Sequence, residues 1–164
     1  MYVKQADFFW GTSQIFVNEV MKISKKESWE KGYFLFHEGN PANRFYILLK
    51  GRVRLSIGKA GHLVYIVSRA GEAFGWSSLI GYNSYSASAE CMELVKLITF
   101  DKEKFQKILK EDPANGLLFF QGLAATLGNR LLQTYKMISE TAEYEKMLSL
   151  GTGQFKSPMQ PHKV

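Results

Sequence analysis

The chain has 164 residues, a hydrophobic content of 46%, a formal net charge of +6 and a single cysteine, Cys91. This length supports one globular domain with its own core, and a single cysteine excludes a disulfide framework, a thiolate metal cluster and a dithiol redox pair. The cysteine count also indicates a reducing, cytoplasmic compartment. The opening residues lack the apolar segment of a secretory signal, and no apolar run approaches the ~20 residues that span a bilayer, so we expect neither export nor membrane insertion.

The excess of basic residues leaves two interpretations open. Lysines stand beside acids, as in residues 102–104 and 110–112, which is typical of a solvated surface of mixed charge. A basic face that binds nucleic acid is the alternative, because clustered cations release counterions from phosphates.

The N-terminal part of the chain predicts two short helical pieces over residues 6–25, followed by a β region over residues 26–100. Extended segments are expected over residues 28–32 and 33–37. The run 45–49, FYILL, is apolar on both faces, as an interior strand should be.

The clearest alternation follows a compact turn at Lys50-Gly51. Val53, Leu55 and Ile57 are expected to face inward, with polar residues between them. Many short strands with glycine turns between them predict a sandwich, a jelly roll or a small barrel.

Two helices are predicted after the β region, within residues 101–148. Asp101 is a plausible N-cap for the first, and Asp112-Pro113 opens a much longer second helix. The second helix carries a stripe at alternating steps of four and three, formed by Phe120, Ala124, Leu127, Leu131, Thr134 and Ile138. This stripe either folds back on the chain's own β region or pairs with a second copy.

The tail, residues 151–164, has glycines, prolines and little apolar content, and we expect it to be disordered. The predicted domain therefore spans residues 1–150.

Three motifs carry a family resemblance. Residues 31–42, KGYFLFHEGNPA, resemble the pattern KGxxLFxEGDPA; residues 45–53, FYILLKGRV, resemble FYILxxGxV; and residues 73–75, AFG, resemble the start of a phosphate-binding cassette. Together they resemble the cyclic nucleotide-binding domain of the catabolite activator and fumarate-nitrate regulator (Crp/Fnr) family, over about residues 8 to 140. The resemblance implies a mainly β fold with flanking helices: a β jelly roll that takes a cyclic nucleotide, followed by a long C-terminal helix that dimerises.

The resemblance fails at two charged positions of the cassette. A cyclic phosphate in a barrel needs backbone N–H groups, a cation and an acceptor for the ribose hydroxyl. The family supplies a glutamate just after the cassette glycine and an arginine near its end, where this chain has Trp76 and Tyr85. Losing the charge partner costs roughly 2 to 5 kcal/mol and losing the carboxylate hydrogen bond roughly 1.5 to 3. A micromolar site would fall to about millimolar affinity or weaker, so we do not expect conventional cyclic AMP binding.

The candidate ligand-binding residues follow from this resemblance. They are Gly75, Trp76, Ser77, Ser78, Leu79, Tyr85, Ser86 and Ala87, with Thr134 on the long helix. Trp76, Tyr82 and Tyr85 either fill the space that the missing groups leave, or stack on a less charged effector while the serines donate hydrogen bonds. Thr134 lies near the region where family members contact the base, or is an ordinary residue of the stripe.

Other polar residues have weaker claims. Arg52, Arg54 and Arg69 are either surface residues or substitute cations. His37 and His62 lack partner ligands for a metal or a haem, and no histidine is suitably spaced for Ser77 or Ser78 to act as a nucleophile. We therefore predict no cofactor, no metal and no enzymatic activity.

Three functions are consistent with the sequence. The first is a stand-alone regulatory module that binds a small effector, dimerises through the C-terminal helix and presents the change to a protein partner. The second is an interaction domain whose pocket its own aromatic rings close. The third is the effector domain of a transcription regulator whose DNA-binding part lies elsewhere, since the 14 residues after Leu150 are fewer than the roughly 20 that a helix-turn-helix needs. We expect no DNA binding by this chain alone.

Overall fold

The computed structural model describes residues 9–139, 148–150 and 154–156. Its helices and strands follow one another as α1 (Gln14–Lys22), β1 (Ser24–Trp29), β2 (Phe34–Phe36), β3 (Arg44–Lys50), β4 (Val53–Ile57), β5 (His62–Val67), β6 (Ala73–Phe74), a 3-10 helix (Trp76–Ser78), β7 (Ser88–Cys91), β8 (Val95–Asp101), α2 (Lys102–Glu111), α3 (Pro113–Ser139), β9 (Leu148–Leu150) and β10 (Gln154–Lys156).

Eight strands form two antiparallel four-stranded sheets, in the orders β1-β8-β3-β6 and β2-β7-β4-β5. The predicted class, a mainly β jelly roll with flanking helices and a long helix after it, is confirmed. Side chains from both sheets meet in one core cluster, which includes Leu48, Val53, Phe74 and Leu97.

The central strand β3 is buried on both faces, as its sequence predicts. Tyr46 and Leu48 face the core between the sheets, while Phe45 and Ile47 face the helices. On the helical side the Phe45 ring stacks on Phe100 at 4.6 Å and meets the edge of Phe105 at 4.9 Å. Burial of these rings holds α2 against the sheet.

Two capped helix starts fix the helices at their strand and turn junctions. The Ser13 side chain accepts a hydrogen bond from the Phe16 N–H at the start of α1. Asp101, the last residue of β8, accepts one from the Lys104 N–H at the start of α2, as predicted.

The first strands lie elsewhere than predicted. β1 begins at Ser24, within the predicted helical lead, and the expected extended segments 28–32 and 33–37 reduce to the end of β1 and to β2. β1 lies at a sheet edge and its first residues are polar, so backbone pairing with β8 rather than apolar alternation makes it a strand.

The inward alternation of β4 is also interrupted. Val53 is buried and Leu55 packs against the core, but Ile57 is 41% exposed and Ser56 is buried. The register between β4 and β5 shifts between Leu55 and Ser56 because β5 has the extra residue Val64 there. The pairing of β4 with β7 ends at Ser56, so Ile57 has a neighbouring strand on one side only. The prediction that Ile57 faces inward is therefore wrong.

The backbone divides into two compact units, one ending at Ala124 and the other beginning at Ala125. The second unit contains the end of α3 and the antiparallel pair β9–β10. The predicted domain end at residue 150 falls inside it and stays a prediction.

The predicted C-terminal features meet the structure only in part. α3 is described to Ser139, residues 140–147 lie outside the described residues, and Leu148 starts a strand rather than ending a helix. Most of the predicted disordered tail is likewise outside the description, but residues 154–156 within it form β10. A composition averaged over 14 residues does not register pairing between two three-residue segments.

We predict that Gly51→Ala destabilises the fold more than Gly58→Ala. Both glycines have positive φ, 95° and 72°, which costs an alanine about 1–2 kcal/mol. At Gly51 a Cβ would also lie 2.6 Å from the Leu94 carbonyl oxygen, whereas Gly58 has open space around it. Urea denaturation of the two variants measures the difference, and equal losses of stability would contradict the packing of this turn.

Candidate functional site

The segment of residues 75–87, here called the cassette segment, leaves β6 through a left-handed glycine. Gly75 has φ 73°, and a Cβ there would lie 3.0 Å from the ring of Tyr46. The 3-10 helix Trp76–Ser78 follows, and the Leu79 N–H donates to the Trp76 carbonyl at 2.9 Å. Glycine is therefore required both by the backbone conformation and by the strand beneath it.

The three serines predicted as donors have different roles. Ser78 is fully buried and its hydroxyl donates to the Gly75 carbonyl at 3.0 Å, so it closes the turn. The Ser77 and Ser86 hydroxyl oxygens lie 3.3 Å apart and join the two ends of the cassette segment. The role of Ser77 and Ser86 as ligand contacts stays a prediction, and Ser78 and the buried Leu79 support the turn that holds them.

Tyr85 is buried inside the barrel, with 3% of its surface exposed. Its ring stacks on Phe36 with centroids 3.7 Å apart and planes at 16°. Its hydroxyl donates to the Arg44 carbonyl at 2.7 Å and accepts from the Arg44 N–H at 3.2 Å. The hydroxyl therefore has a donor and an acceptor within the protein.

The backbone of Tyr85 is fixed as well. Its N–H donates to the Asn40 carbonyl, and its carbonyl accepts from the Gly39 N–H, both at 2.9 Å. Four hydrogen bonds thus hold this residue to the loop before β3 and to the first residue of β3.

A small cavity lies between the cassette segment and the barrel wall. It is lined by Phe36, Leu55, Gly75, Trp76, Ser77, Tyr85, Ser86 and Ala87. Six of the nine predicted site residues are therefore brought together, while Ser78 and Leu79 lie behind them. Thr134 lies in the second unit, where its hydroxyl donates to the Arg130 carbonyl at 3.0 Å, and its place in the site stays a prediction.

The volume of this cavity is about 40 Å³. A water molecule needs roughly 10–15 Å³ on this measure, whereas sites for small molecules are typically ~300 Å³ or more. In this conformation the cavity admits a few waters and no nucleotide.

The cavity lining is uncharged. Two of the arginines weighed as substitute cations bond elsewhere: Arg52 lies 3.3 Å from Glu93, and Arg54 donates to the Gly61 carbonyl at 2.7 Å. Both side chains are partly exposed. An anion in this cavity would lose its hydration without gaining a counter-charge from the lining.

Of the aromatic residues weighed for the site, Trp76 and Tyr85 line the cavity and Tyr82 does not. Tyr82 is 54% exposed, and its N–H and carbonyl bond to Ser77 and Lys102. Tyr85 is buried in the barrel and Trp76 is half-buried at the cavity, and the choice between a filling and a stacking role stays a prediction.

The same kind of domain is found in known proteins. Residues 26–112 match the family model described as "Cyclic nucleotide-binding domain". The chain belongs to this family.

Within the described residues no group of His, Cys, Asp and Glu could hold a metal ion, and none of the described helices is both long and apolar enough to cross a bilayer.

Curated proteins with a similar sequence include a bacterial regulator. The global nitrogen regulator of Nostoc sp. is 34% identical over 120 residues, which are 71% of this chain and 52% of that protein. The chain spans about half the length of the curated relatives it matches.

Solved structures agree in fold. A protein from Geobacter metallireducens, described as a cyclic nucleotide-binding protein, superposes with a TM-score of 0.70 at 26% identity, over 78% of this chain and 94% of that one. The catabolite activator protein of Thermus thermophilus shares the fold, with a TM-score of 0.65 at 23% identity over 81% and 62% of the two chains.

Sequence reasoning missed several residues that build this cyclic nucleotide-binding domain. Phe36 lines the cavity and the Arg44 backbone anchors Tyr85, but neither carries a signal beyond its strand. Glu72 accepts hydrogen bonds from the Tyr65 hydroxyl and from the N–H groups of Ser68 and Arg69, and so holds the turn before β6. An acid directly after the glycine of this turn was the available signal for Glu72.

A second depression lies on the polar side of the cassette segment, where Asn83 approaches the loop Pro41–Asn43 and the first turn of α2. Its volume is about 420 Å³, and Asp101, Lys102, Glu103 and Gln106 complete its lining. The lining of this depression is more polar than that of the barrel cavity.

We predict that Glu72→Ala destabilises the domain by about 1–3 kcal/mol, because it removes the acceptor of two backbone N–H groups and of a partly buried hydroxyl. Glu93→Ala is the matched control. Glu93 pairs with Arg52 on the surface, and its loss should cost less than about 1 kcal/mol. Chemical denaturation of both variants measures the loss of stability. An equal loss in the two variants would contradict the conclusion that Glu72 holds the turn before β6.

The tyrosines of the barrel predict a loss of stability in alkali. Burial raises the pKa of Tyr46 above the ordinary value of 10.0, and the neighbouring Tyr85 adds to this shift; burial also raises the pKa of Tyr85. Burial, with Glu90 beside it, raises the pKa of Cys91 to about 11. Above their ordinary pKa values these groups lose protons in the unfolded chain but keep them in the folded one, so stability falls as the pH rises through about 9 for the thiol and 10 for the phenols.

Denaturation with urea between about pH 8 and pH 11 measures this effect, which approaches about 1.4 kcal/mol per pH unit for each group. Tyr46→Phe should give a shallower fall above about pH 10. Phe74→Leu, a substitution in the same core without a proton to lose, should cost the same at both ends of the range. An unchanged slope in Tyr46→Phe would contradict the assignment.

Proposed function

We propose that this chain is a non-enzymatic regulatory module that binds a small effector at the barrel cavity and signals through α3 in a homodimer. The observation that carries this proposal is the cassette segment itself. Its left-handed glycine, its 3-10 turn and its Ser77–Ser86 contact form an ordered turn over a cavity, and this geometry supports the proposal although the family's charged groups are replaced.

The ligand-binding residues of the proposal are those at the cavity edge. Trp76 offers a ring face, Ser77 and Ser86 offer hydroxyls, and Gly75 and Ala87 leave room for a ligand to approach. Ser78 and Leu79 support the turn from behind, and Thr134 is kept as a proposed contact from α3. The effector is a small molecule other than cyclic AMP in the family's usual pose.

The proposed output is a change in the pairing of α3 with a second copy or with a partner protein. Exposed large apolar side chains along α3 support this, since apolar surface of this kind is available to a partner. They are Leu117, Phe120, Leu131, Leu132 and Met137. The module is proposed to act in the cytoplasm.

Two alternatives have an observation in their favour. The cavity of about 40 Å³ favours a ligand-silent interaction domain. The match to about half of a global nitrogen regulator favours the effector domain of a transcription regulator.

Native mass spectrometry of freshly purified protein tests the proposal, because it reports a co-purified molecule and the subunit number together. We expect a dimer with a bound small molecule. Added back at about 100 times its dissociation constant, that molecule should raise the melting temperature by about 5–10 °C.

The binding variants are Trp76→Ala and Ser77→Ala, and the matched control is Ser84→Ala, an exposed serine of the same segment. The first two should lose the thermal shift and the control should keep it. A protein that carries no small molecule, with no thermal response to nucleotides or nucleosides, would favour the ligand-silent domain instead.

A further inference from the structure

The depression between the cassette segment and α2, here called the polar depression, has the size of a ligand site. Its volume is about 420 Å³, within the range of roughly 300–1,000 Å³ that small-molecule sites occupy. The barrel cavity, at about 40 Å³, lies well below that range. The two linings have no residue in common, so the polar depression is a separate place on the domain.

Backbone hydrogen bonds join the three segments that form the polar depression. The Ala42 N–H donates to the Asn83 carbonyl at 2.9 Å, which joins the loop before β3 to the cassette segment. The Lys102 N–H donates to the Asn43 carbonyl at 2.9 Å, which joins the same loop to α2. The fold therefore holds the walls at a fixed spacing, and a ligand would lose little binding energy in ordering them.

Each of the three segments contributes one carboxamide side chain to the lining. These side chains are Asn43, Asn83 and Gln106. Across the described part of the chain, none of the three side chains has a hydrogen bond to another protein group, although Gln106 is half-buried. A carboxamide offers two N–H donors and an acceptor oxygen. The polar depression thus combines several donors and acceptors that the protein itself does not use.

The charged groups of the lining favour neither an anion nor a cation. Asp101, Lys102 and Glu103 follow one another at the start of α2 and all belong to the lining. A ligand of either sign would meet a like charge as well as an opposite one, so its net electrostatic gain would be small. Pro41 and Ala42 add apolar surface beside these groups, which suits the C–H groups of a ring.

We infer that the polar depression is a second ligand-binding site, which takes a small, uncharged, polyhydroxylated molecule: a monosaccharide or a cyclic polyol. Each hydroxyl is both a donor and an acceptor, so neighbouring hydroxyls match the N–H and C=O groups of the carboxamides. The inference goes beyond the proposed function, because it uses none of the residues of the barrel cavity. A ligand here would contact the cassette segment and α2 together.

NMR titration of the isotope-labelled full chain with D-ribose, D-glucose and myo-inositol tests the inference. We expect at least one of the three to bind with a dissociation constant on the order of 1 mM, as a few partly exposed hydrogen bonds allow. Binding should shift the side-chain amide signals of Asn43, Asn83 and Gln106. The amide signal of Gln121, which is exposed on α3 outside the lining, should not shift.

Cyclohexanol is the matched control ligand for myo-inositol, because it has the same carbon ring with a single hydroxyl. It should leave all four amide signals unchanged at the same concentration. Equal shifts with cyclohexanol would overturn the inference, since the hydroxyls would then have no part in binding. Absence of any shift with all three polyols would also overturn it, and this result does not depend on the folding of a variant.

Asn83→Ala and Gln106→Ala are the binding variants, and Gln121→Ala is the matched control. Alanine fits the backbone at position 83, because no described residue other than glycine has a positive φ. Each binding variant should weaken the affinity for the bound polyol about three- to tenfold, since each removes a hydrogen-bonding group. Gln121→Ala should keep the affinity of the wild type. Unchanged affinity in both binding variants, or an equal loss in Gln121→Ala, would refute the inference.

Trp76→Ala separates the inference from the proposed function. Trp76 lines the barrel cavity and not the polar depression, so its removal should leave polyol binding unchanged. A loss of polyol binding in a folded Trp76→Ala variant would place the ligand in the barrel and overturn the inference. A wild type that carries no effector would refute the proposed function, while polyol binding that depends on Asn83 and Gln106 would still establish the second site.

Discussion

The burial of β3 on both faces is the constraint on which the other parts of this domain depend. Its inward residues complete the barrel core, and its outward residues Phe45 and Ile47 face the helices. The same strand supports the cassette segment at two points, since Tyr46 lies under Gly75 and the Arg44 backbone holds Tyr85. The core, the helices and the candidate site are therefore positioned by one strand.

The electrostatic character of the site follows from the same arrangement. A buried cation needs a counter-charge or a ligand, and a protein that leaves it without either loses several kcal/mol. A phenol that is bonded to the backbone on both sides has no such need. The ligand-free protein can thus keep a closed and well-packed barrel. The stability of a barrel with an arginine at this position would depend more on a bound ligand.

The sequence predicted the parts of the fold that depend on local pattern. The apolar run of β3, the turn at Gly51 and the capping role of Asp101 all appear where the pattern places them. β1 was misplaced because its polar residues become a strand only by pairing with β8, whose partner residues lie 66 to 76 positions later in the chain. Ile57 was misplaced for a similar reason, since its exposure depends on where the pairing with β7 ends.

The sequence named residues that the structure brings together, but it did not predict their geometry. Family resemblance named Trp76, Ser77 and Tyr85, and the cavity brings these residues together. It could not show that Ser78 turns back to Gly75, or that the Tyr85 hydroxyl finds the backbone of a residue 41 positions earlier. Both are contacts of the folded chain, and a single sequence contains no periodic signal for them.

The junction between the barrel and α2 has a mechanical consequence. Arg44 of β3 lies opposite Asp101 of β8 in the antiparallel ladder, and the Asp101 carboxylate caps α2. The Lys102 N–H donates to the Asn43 carbonyl. No linker separates the strand from the helix, and the residue that holds Tyr85 is the direct neighbour of this joint. A displacement of the Tyr85 ring would therefore move the start of α2, because no flexible segment lies between them.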